Sequence, residues 1–237
     1  MKKNGFIWWE KHVEYKYIRD NINLSAMPLD GDFHEQAGDN IFTQDKFFRI
    51  IEFKSHQDDK TIKAEIQKYH FYEDGKRYKC NKEKFKELHF EAFKNHSFRH
   101  CHFVVYGDVF LKDEKPEFKL CNRQYIEFLY PDEFKSEEQV EYSQIPYDSF
   151  IEYLAFIISK KSGTETTTDS CSGQFANVLV IDNEGNVIPF SDVISSPIIQ
   201  QSLQSQGVTI KNDEAMDIEV PELKNTPTNA HKNRFKK

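Results

Sequence analysis

The chain has 237 residues, 38% of them apolar, with 21 Phe and 11 Tyr, and a formal net charge of −7. That length suits one sizeable domain, or a domain with appendages, that buries its core without disulfides. The acidic balance excludes a strong non-specific polyanion binder, although the stretch from Lys54 to Arg99 holds twelve Lys/Arg against eight Asp/Glu.

Phe6 to about Asp20 reads as a helix, because Phe6, Trp9, Val13 and Tyr17 recur at helical spacing. Pro28 and Gly31 break the chain after it, and HEQAG follows as a short turn. DNIFT and FFRIIEFK read as two antiparallel strands joined tightly at QDK. DKTIKAEIQKYHFYED reads as a helix capped by Asp58 or Asp59, with Ile62, Ile66 and Tyr69 on one face. NKEKFKELHFEAFKNH reads as a second helix, capped by Asn81. RHCHFVVYGD is expected to be a strand ending at Gly107, and QYIEFLY another, halted by Pro131. PYDSFIEYLAFIISKK reads as a helix with Pro146 in its first turn and Phe150, Leu154 and Ile157 or Ile158 as its apolar stripe. SGTETTTDSCSGQ reads as a polar loop, and FANVLVIDNEGNVIPF as a hairpin turning at NEGN.

These elements predict an α/β (α+β) fold with one central mixed sheet flanked by helices. Residues 1–110 would form its core, and 111–210 would continue the same domain or append an α+β region. Residues 211–237 are polar and lack periodicity, which predicts a tail that is disordered or ordered by a partner. Cys80, Cys101, Cys121 and Cys171 form no CxxC and suit reduced thiols. No apolar run is long enough to span a membrane. The opening MKKNGFIWWEKH begins like a signal peptide, but Glu10, Lys11 and His12 interrupt it, so a cytoplasmic protein is expected.

The strand FFRIIEFK carries the most informative chemistry. Glu52 and Lys54 stand two residues apart and share a face, while Ile51 and Phe53 take the other. A tight turn at Asp45–Lys46 would place Asp39 directly opposite Glu52, about 5 Å away at Cβ. Two carboxylates that close repel unless a cation lies between them. A divalent metal such as Mg²⁺ is that cation, and Lys54 on the same face would orient or help deprotonate a metal-bound water. Glu35 would reach the same site from the preceding turn.

An acid at the mouth of one strand, followed by Glu-x-Lys in the next, resembles the PD-(D/E)xK nuclease superfamily. The similarity covers about Phe6 to Tyr106 and implies a restriction-endonuclease-like core in the N-terminal half. It also implies Asp39, Glu52 and Glu35 as ligands of Mg²⁺ or Mn²⁺, with Lys54 beside them as a catalytic residue. In the helix that follows, AEIQKY resembles a polar helix of that family, where Glu65, Gln67, Lys68 or Tyr69 would face the site. His34, beside Glu35, would hydrogen-bond on the substrate side. Asp39 follows Gly38 rather than a proline, and the shared residues report phosphodiester chemistry rather than a particular substrate.

The function so implied is hydrolysis of DNA, with a protein partner for targeting, possible membership of a bacterial anti-phage or mobile-element system, and no membrane association. The alternative is a non-catalytic interaction or nucleic-acid-binding subunit whose hairpin charges are structural. His100 and His102 share a strand face and invite a zinc reading, but no second ligand pair stands at finger-like spacing, so exposed strand histidines are expected. Lys76, Arg77, Lys79, Lys82, Lys84 and Lys86 form a basic run, either a solvated face or, in a nuclease, the place for phosphate contacts.

Overall fold

The computed structural model describes residues 8–21, 42–94, 96–113, 115–134 and 142–211. Helix α1 (Glu10–Asn21) precedes strand β1 (Phe47–Lys54), helix α2 (Asp59–Ile66), and the strands β2 (His70–Glu73) and β3 (Lys76–Lys79). Three short helices follow, α3 (Lys82–Leu88), α4 (Phe90–Lys94) and α5 (His96–Arg99), then the long strands β4 (His102–Lys112) and β5 (Lys115–Gln124). After α6 (Tyr125–Leu129) come β6 (Ile145–Pro146), α7 (Tyr147–Lys161), β7 (Glu165–Thr167), α8 (Thr168–Gln174), β8 (Val178–Asp182) and β9 (Val187–Pro189). The described chain closes with α9 (Phe190–Ser195), α10 (Pro197–Ser205) and β10 (Thr209–Lys211).

The main sheet runs β5-β4-β1-β8-β9, with β6 pairing the start of β1. β1 is parallel to β4 and antiparallel to β8, so the sheet is mixed and helices flank it, as the element order predicts. Alternation along β1 divides the core. Ile51 and Phe53 pack with Phe103, Val105 and Leu179 under Val13 and Tyr17 of α1. Phe48 and Ile50 face the opposite layer, with Val104, Val180, Phe150, Leu154 and Ile158. The apolar stripe of α7 and the β8–β9 hairpin, where Val180 pairs with Ile188, both match the sequence reading.

Several expectations are corrected. β1 is not half of a local hairpin at Glu52: beside that residue its two edges are taken by Val104 of β4 and Val178 of β8, and residues 39–41 of the expected partner lie outside the described residues. The helix expected over residues 59–74 ends at Ile66, and HFYE turns back on KRYK as a hairpin. Asp74 (φ 50°) and Gly75 (φ 74°) form its turn, and consecutive positive φ values match the twist of paired strands. NKEKFKELHFEAFKNH divides at His89, which leaves helical geometry. β4 runs past Gly107 to Lys112, and QYIEFLY is helical at α6 rather than a strand. The polar stretch 162–174 carries β7 and α8, the latter capped by Thr167. The four cysteines form no disulfide. Among the described residues no helix is long and apolar enough to cross a membrane.

Gly107 lets α1's leading tryptophan reach the sheet. A Cβ there would sit 2.5 Å from Trp8 Nε1 and 2.5 Å from Phe118 Cε2. The same Trp8 nitrogen donates to the Ser55 carbonyl at 2.6 Å, and its ring lies 4.3 Å from that of His56. Gly107→Ala should therefore displace Trp8 and lower stability by about 1–3 kcal/mol. Urea denaturation followed by tryptophan fluorescence measures this, and an unchanged midpoint would contradict it.

Candidate functional site

Glu52 and Lys54 leave β1 on the same face as Phe48 and Ile50, beneath α2 and the end of α7. Asp58 caps α2 by accepting from the Thr61 amide at 2.8 Å. That cap sets the helix so that Glu65 turns inward on the same face as Ile62 and Ile66. Lys68 follows one turn later, and Lys161 is the last residue of α7.

These five side chains converge. Lys54 Nζ lies 2.6 Å from Glu52 Oε1 and 2.6 Å from Glu65 Oε2. Lys161 Nζ lies 2.6 Å from Glu65 Oε1 and 3.8 Å from Glu52 Oε2. Lys68 Nζ is 2.9 Å from Glu65 Oε2 and 3.5 Å from Glu52 Oε1, and it donates to the Gln174 carbonyl at 3.0 Å. The Tyr125 hydroxyl donates to Glu65 Oε1 at 2.8 Å and accepts from the Tyr69 hydroxyl at 3.1 Å. Rings of Tyr69, Tyr125 and Phe175 surround the Lys161 ammonium at 5.1, 5.2 and 4.8 Å. His102 stacks on Tyr125, meets the Tyr153 hydroxyl through Nδ1 at 2.6 Å, and brings Nε2 to 3.4 Å from Glu52 Oε2.

Glu65 and Glu52 are held differently. Glu65 accepts from Lys54, Lys161 and Tyr125, whereas the two buried Glu52 oxygens are held mainly through charge, by Lys54 Nζ at 2.6 Å from Oε1 and by His102 Nε2 and Lys161 Nζ at 3.4 and 3.8 Å from Oε2. Burial alone would push the Glu52 carboxyl up, yet Lys161, Lys54 and Lys68 outweigh it and hold it well below the ordinary range. Burial and Glu52 both raise Glu65, while Lys161, Lys54 and Lys68 bring it down to about 2. Burial works against the Lys54 charge, but Glu52 and Glu65 raise its pKa overall. Lys161 is the reverse: burial lowers it more than the two carboxylates restore. Burial likewise keeps His102 neutral-leaning, below its ordinary value. The two carboxylates thus hold Lys54 as a cation.

The cluster forms one wall of a cleft of about 560 Å³, lined also by Glu10, His56, Lys60, Thr61 and Asn177. Glu10 accepts from the Asn177 amide, and burial raises its carboxyl overall, with Lys54 offsetting only part of the rise. Of the residues singled out in the sequence, Glu52, Lys54, Glu65 and Lys68 meet here, and Tyr69 stands behind them. Gln67 does not: it caps α2 and lines a separate cavity of about 300 Å³ with Ile62, Lys63 and Cys80. His34, Glu35 and Asp39 lie outside the described residues. His102 is buried beside Glu52 rather than exposed. Lys161, Tyr125, Tyr153 and Glu10 carry no local signal in the sequence, because helix ends and packing bring them together. Among the described residues no group of three His, Cys, Asp or Glu side chains forms a metal cage.

The depressed Glu65 carboxyl makes the fold acid-sensitive. The folded state binds that proton more weakly than the unfolded chain, so the contribution is complete above about pH 4.5 and is lost as pH falls through about 2. Glu65→Gln keeps the shape but leaves Lys54 and Lys161 short of a counter-charge, and should cost about 3–5 kcal/mol at pH 7. The variant should also show a flatter stability profile between those pH values. Urea midpoints measured across that range check both effects, and a Gln variant matching the parent would refute the network's role.

No protein-family model matches the chain, and no curated protein and no solved structure matches it either, so the chemistry of this site rests on its own residues.

Proposed function

We propose that the chain is a metal-dependent nuclease that hydrolyses phosphodiester bonds of DNA. One observation carries the reading: Glu52 and Lys54 meet Glu65 and Lys68 at the wall of a cleft, so ionised carboxylates and ammonium groups share one opening. The ionised oxygens of Glu52 suit Mg²⁺ or Mn²⁺ in donor chemistry. Glu52 would hold the ion together with Asp39 and Glu35, the two carboxylates that the Glu-x-Lys resemblance assigns. When bound, the ion polarises a phosphate oxygen and makes water more acidic.

The remaining roles belong to the chain itself. Lys68, with its side chain 28% exposed, is placed to bind a non-bridging phosphate oxygen entering the cleft. Lys54, held between two carboxylates, donates to the attacking water or to the phosphate and fixes its orientation. Lys161 and the Tyr125 hydroxyl keep Glu65 ionised and immobile, which in turn positions Lys54. His102, braced by Tyr153, backs the Glu52 carboxylate.

A second reading has its own support. Lys54 touches Glu52 and Glu65 at equal distance, so the charges largely compensate one another without any ligand. That favours a non-catalytic subunit using the same fold as a scaffold.

Cleavage of labelled linear, circular and single-stranded DNA with Mg²⁺ or Mn²⁺ separates the two. The nuclease should cut only with metal, and Asp39→Ala and Lys54→Met should each lower the rate about 10²–10³-fold. Asp39→Ala with an unchanged melting temperature isolates chemistry from folding. Parent protein that never cuts DNA at any metal concentration would leave the scaffold as the function.

A further inference from the structure

β1 ends at Lys54, and the residues just beyond it are held as firmly as the strand itself. The Ser55 carbonyl accepts from the Gly107 amide at 3.2 Å and from Trp8 Nε1 at 2.6 Å. Trp8 is buried, edge-on to Phe118 at 5.2 Å. On its other side its ring lies 4.3 Å from the His56 imidazole, with 30° between the planes. His56 is therefore braced by an aromatic face and by the fixed main chain before it. It lines the same cleft as Lys54 and Lys68, and among the described residues it is the one imidazole that does so.

The charges around His56 favour its protonated form. Among the described residues the cleft is lined by the acids Glu10, Glu52, Asp58 and Glu65 and by the cations Lys54, Lys60 and Lys68, so acids outnumber lysines. Burial works against the Asp58 charge, but the Thr61 amide, then His56 and Lys60, hold its carboxyl below the ordinary range. That attraction is mutual, so Asp58 favours an imidazolium two residues away. The electron-rich face of Trp8 acts in the same direction. Lys54 is a poor proton donor by comparison, because Glu52 and Glu65 raise its pKa and it keeps its proton. Imidazole is the side chain whose charge ordinarily changes near neutrality.

We propose that His56 is a further catalytic residue, the general acid that protonates the leaving oxygen of the scissile phosphodiester. This role rests on the nuclease reading and supplies the one proton that reading leaves unplaced. The water oxygen bonds to phosphorus as the bond from phosphorus to the leaving oxygen breaks. The electron pair of that bond stays on the leaving oxygen, which takes the imidazolium proton and departs as an alcohol. The proton lost by the water passes to solvent, and solvent recharges the imidazole. Trp8 is a positioning residue: it fixes the plane of the ring and, through Ser55, the chain between His56 and Lys54.

Cleavage of one linkage in a labelled oligonucleotide with Mn²⁺, in its ordinary form and with sulfur in place of the leaving oxygen, tests the assignment. A thiolate leaves without the proton that an alkoxide needs, because thiols are the stronger acids. His56→Gln should lower cutting of the ordinary linkage about 10²–10⁴-fold. Cutting of the sulfur linkage should stay near the parent rate, and so should the melting temperature, because His56 is only half-buried. The general acid must be protonated, so kcat/KM of the parent should fall as pH rises through its pKa, and that alkaline limb should vanish in His56→Gln. Trp8→Phe keeps a ring beside His56 but removes the donor to Ser55, and should lower kcat more than it raises KM while the limb remains. Equal losses on both linkages, or an unchanged rate on the ordinary one, would overturn the proposal and leave the nuclease reading standing. A parent protein that cuts neither linkage would remove both.

Discussion

Everything near the centre of this protein depends on one constraint: two carboxylates and three ammonium groups share a region almost sealed from water. An isolated ion in that place would cost several kcal/mol, so each must be compensated by the others. Glu52 and Lys54 come from a strand whose two edges are both paired, which leaves them no freedom to turn outward. Glu65 comes from a helix fixed by its Asp58 cap, and Lys161 from the last turn of α7, which packs on the same face of the sheet. Sheet, α2 and α7 are thereby held in register by charge as well as by apolar packing. The network is asymmetric. Glu65 accepts from Tyr125 and the lysines, whereas Glu52 is held mainly by its ion pairs with Lys54 and Lys161.

The same asymmetry connects stability to the proposed chemistry. Buried ion pairs seldom add stability over well-packed apolar residues, so their presence calls for another explanation. On the proposed function, Glu52 would turn an ionised oxygen to a hard cation while Lys54, kept by Glu65, would stay as a donor to phosphate. Aromatic rings of Tyr69, Tyr125 and Phe175 surround Lys161 and stiffen that arrangement.

The sequence shows part of this and hides the rest for identifiable reasons. Alternation within FFRIIEFK suffices to place Glu52 and Lys54 on one face, and the helical spacing of Ile62 and Ile66 carries Glu65 with them. What alternation cannot reveal is a strand's partner. β1 takes Val178 and Val104 rather than the segment just before it, because pairing across long sequence separations leaves no local mark. The Asp74–Gly75 turn was legible, yet the charged run HFYEDGKRYK continues the helix pattern of α2 closely enough to mask it. β5 is hidden for a different reason: Pro116 and its alternating charges suit an exposed edge strand, which lacks an apolar signature. Lys161 and His102 read as an ordinary helix end and an ordinary strand histidine. Only the fold brings them to Glu52.

Soaking crystals of the protein in Mn²⁺ and locating the metal by its anomalous signal tests the central claim most directly. If Glu52 is a metal ligand, a peak should appear about 2.0–2.2 Å from one of its oxygens, with Lys54 displaced from that carboxylate but still on Glu65. Density that shows Lys54 unmoved between the two carboxylates, with no metal at Glu52 at saturating Mn²⁺, would contradict it and make the buried charges a structural network alone.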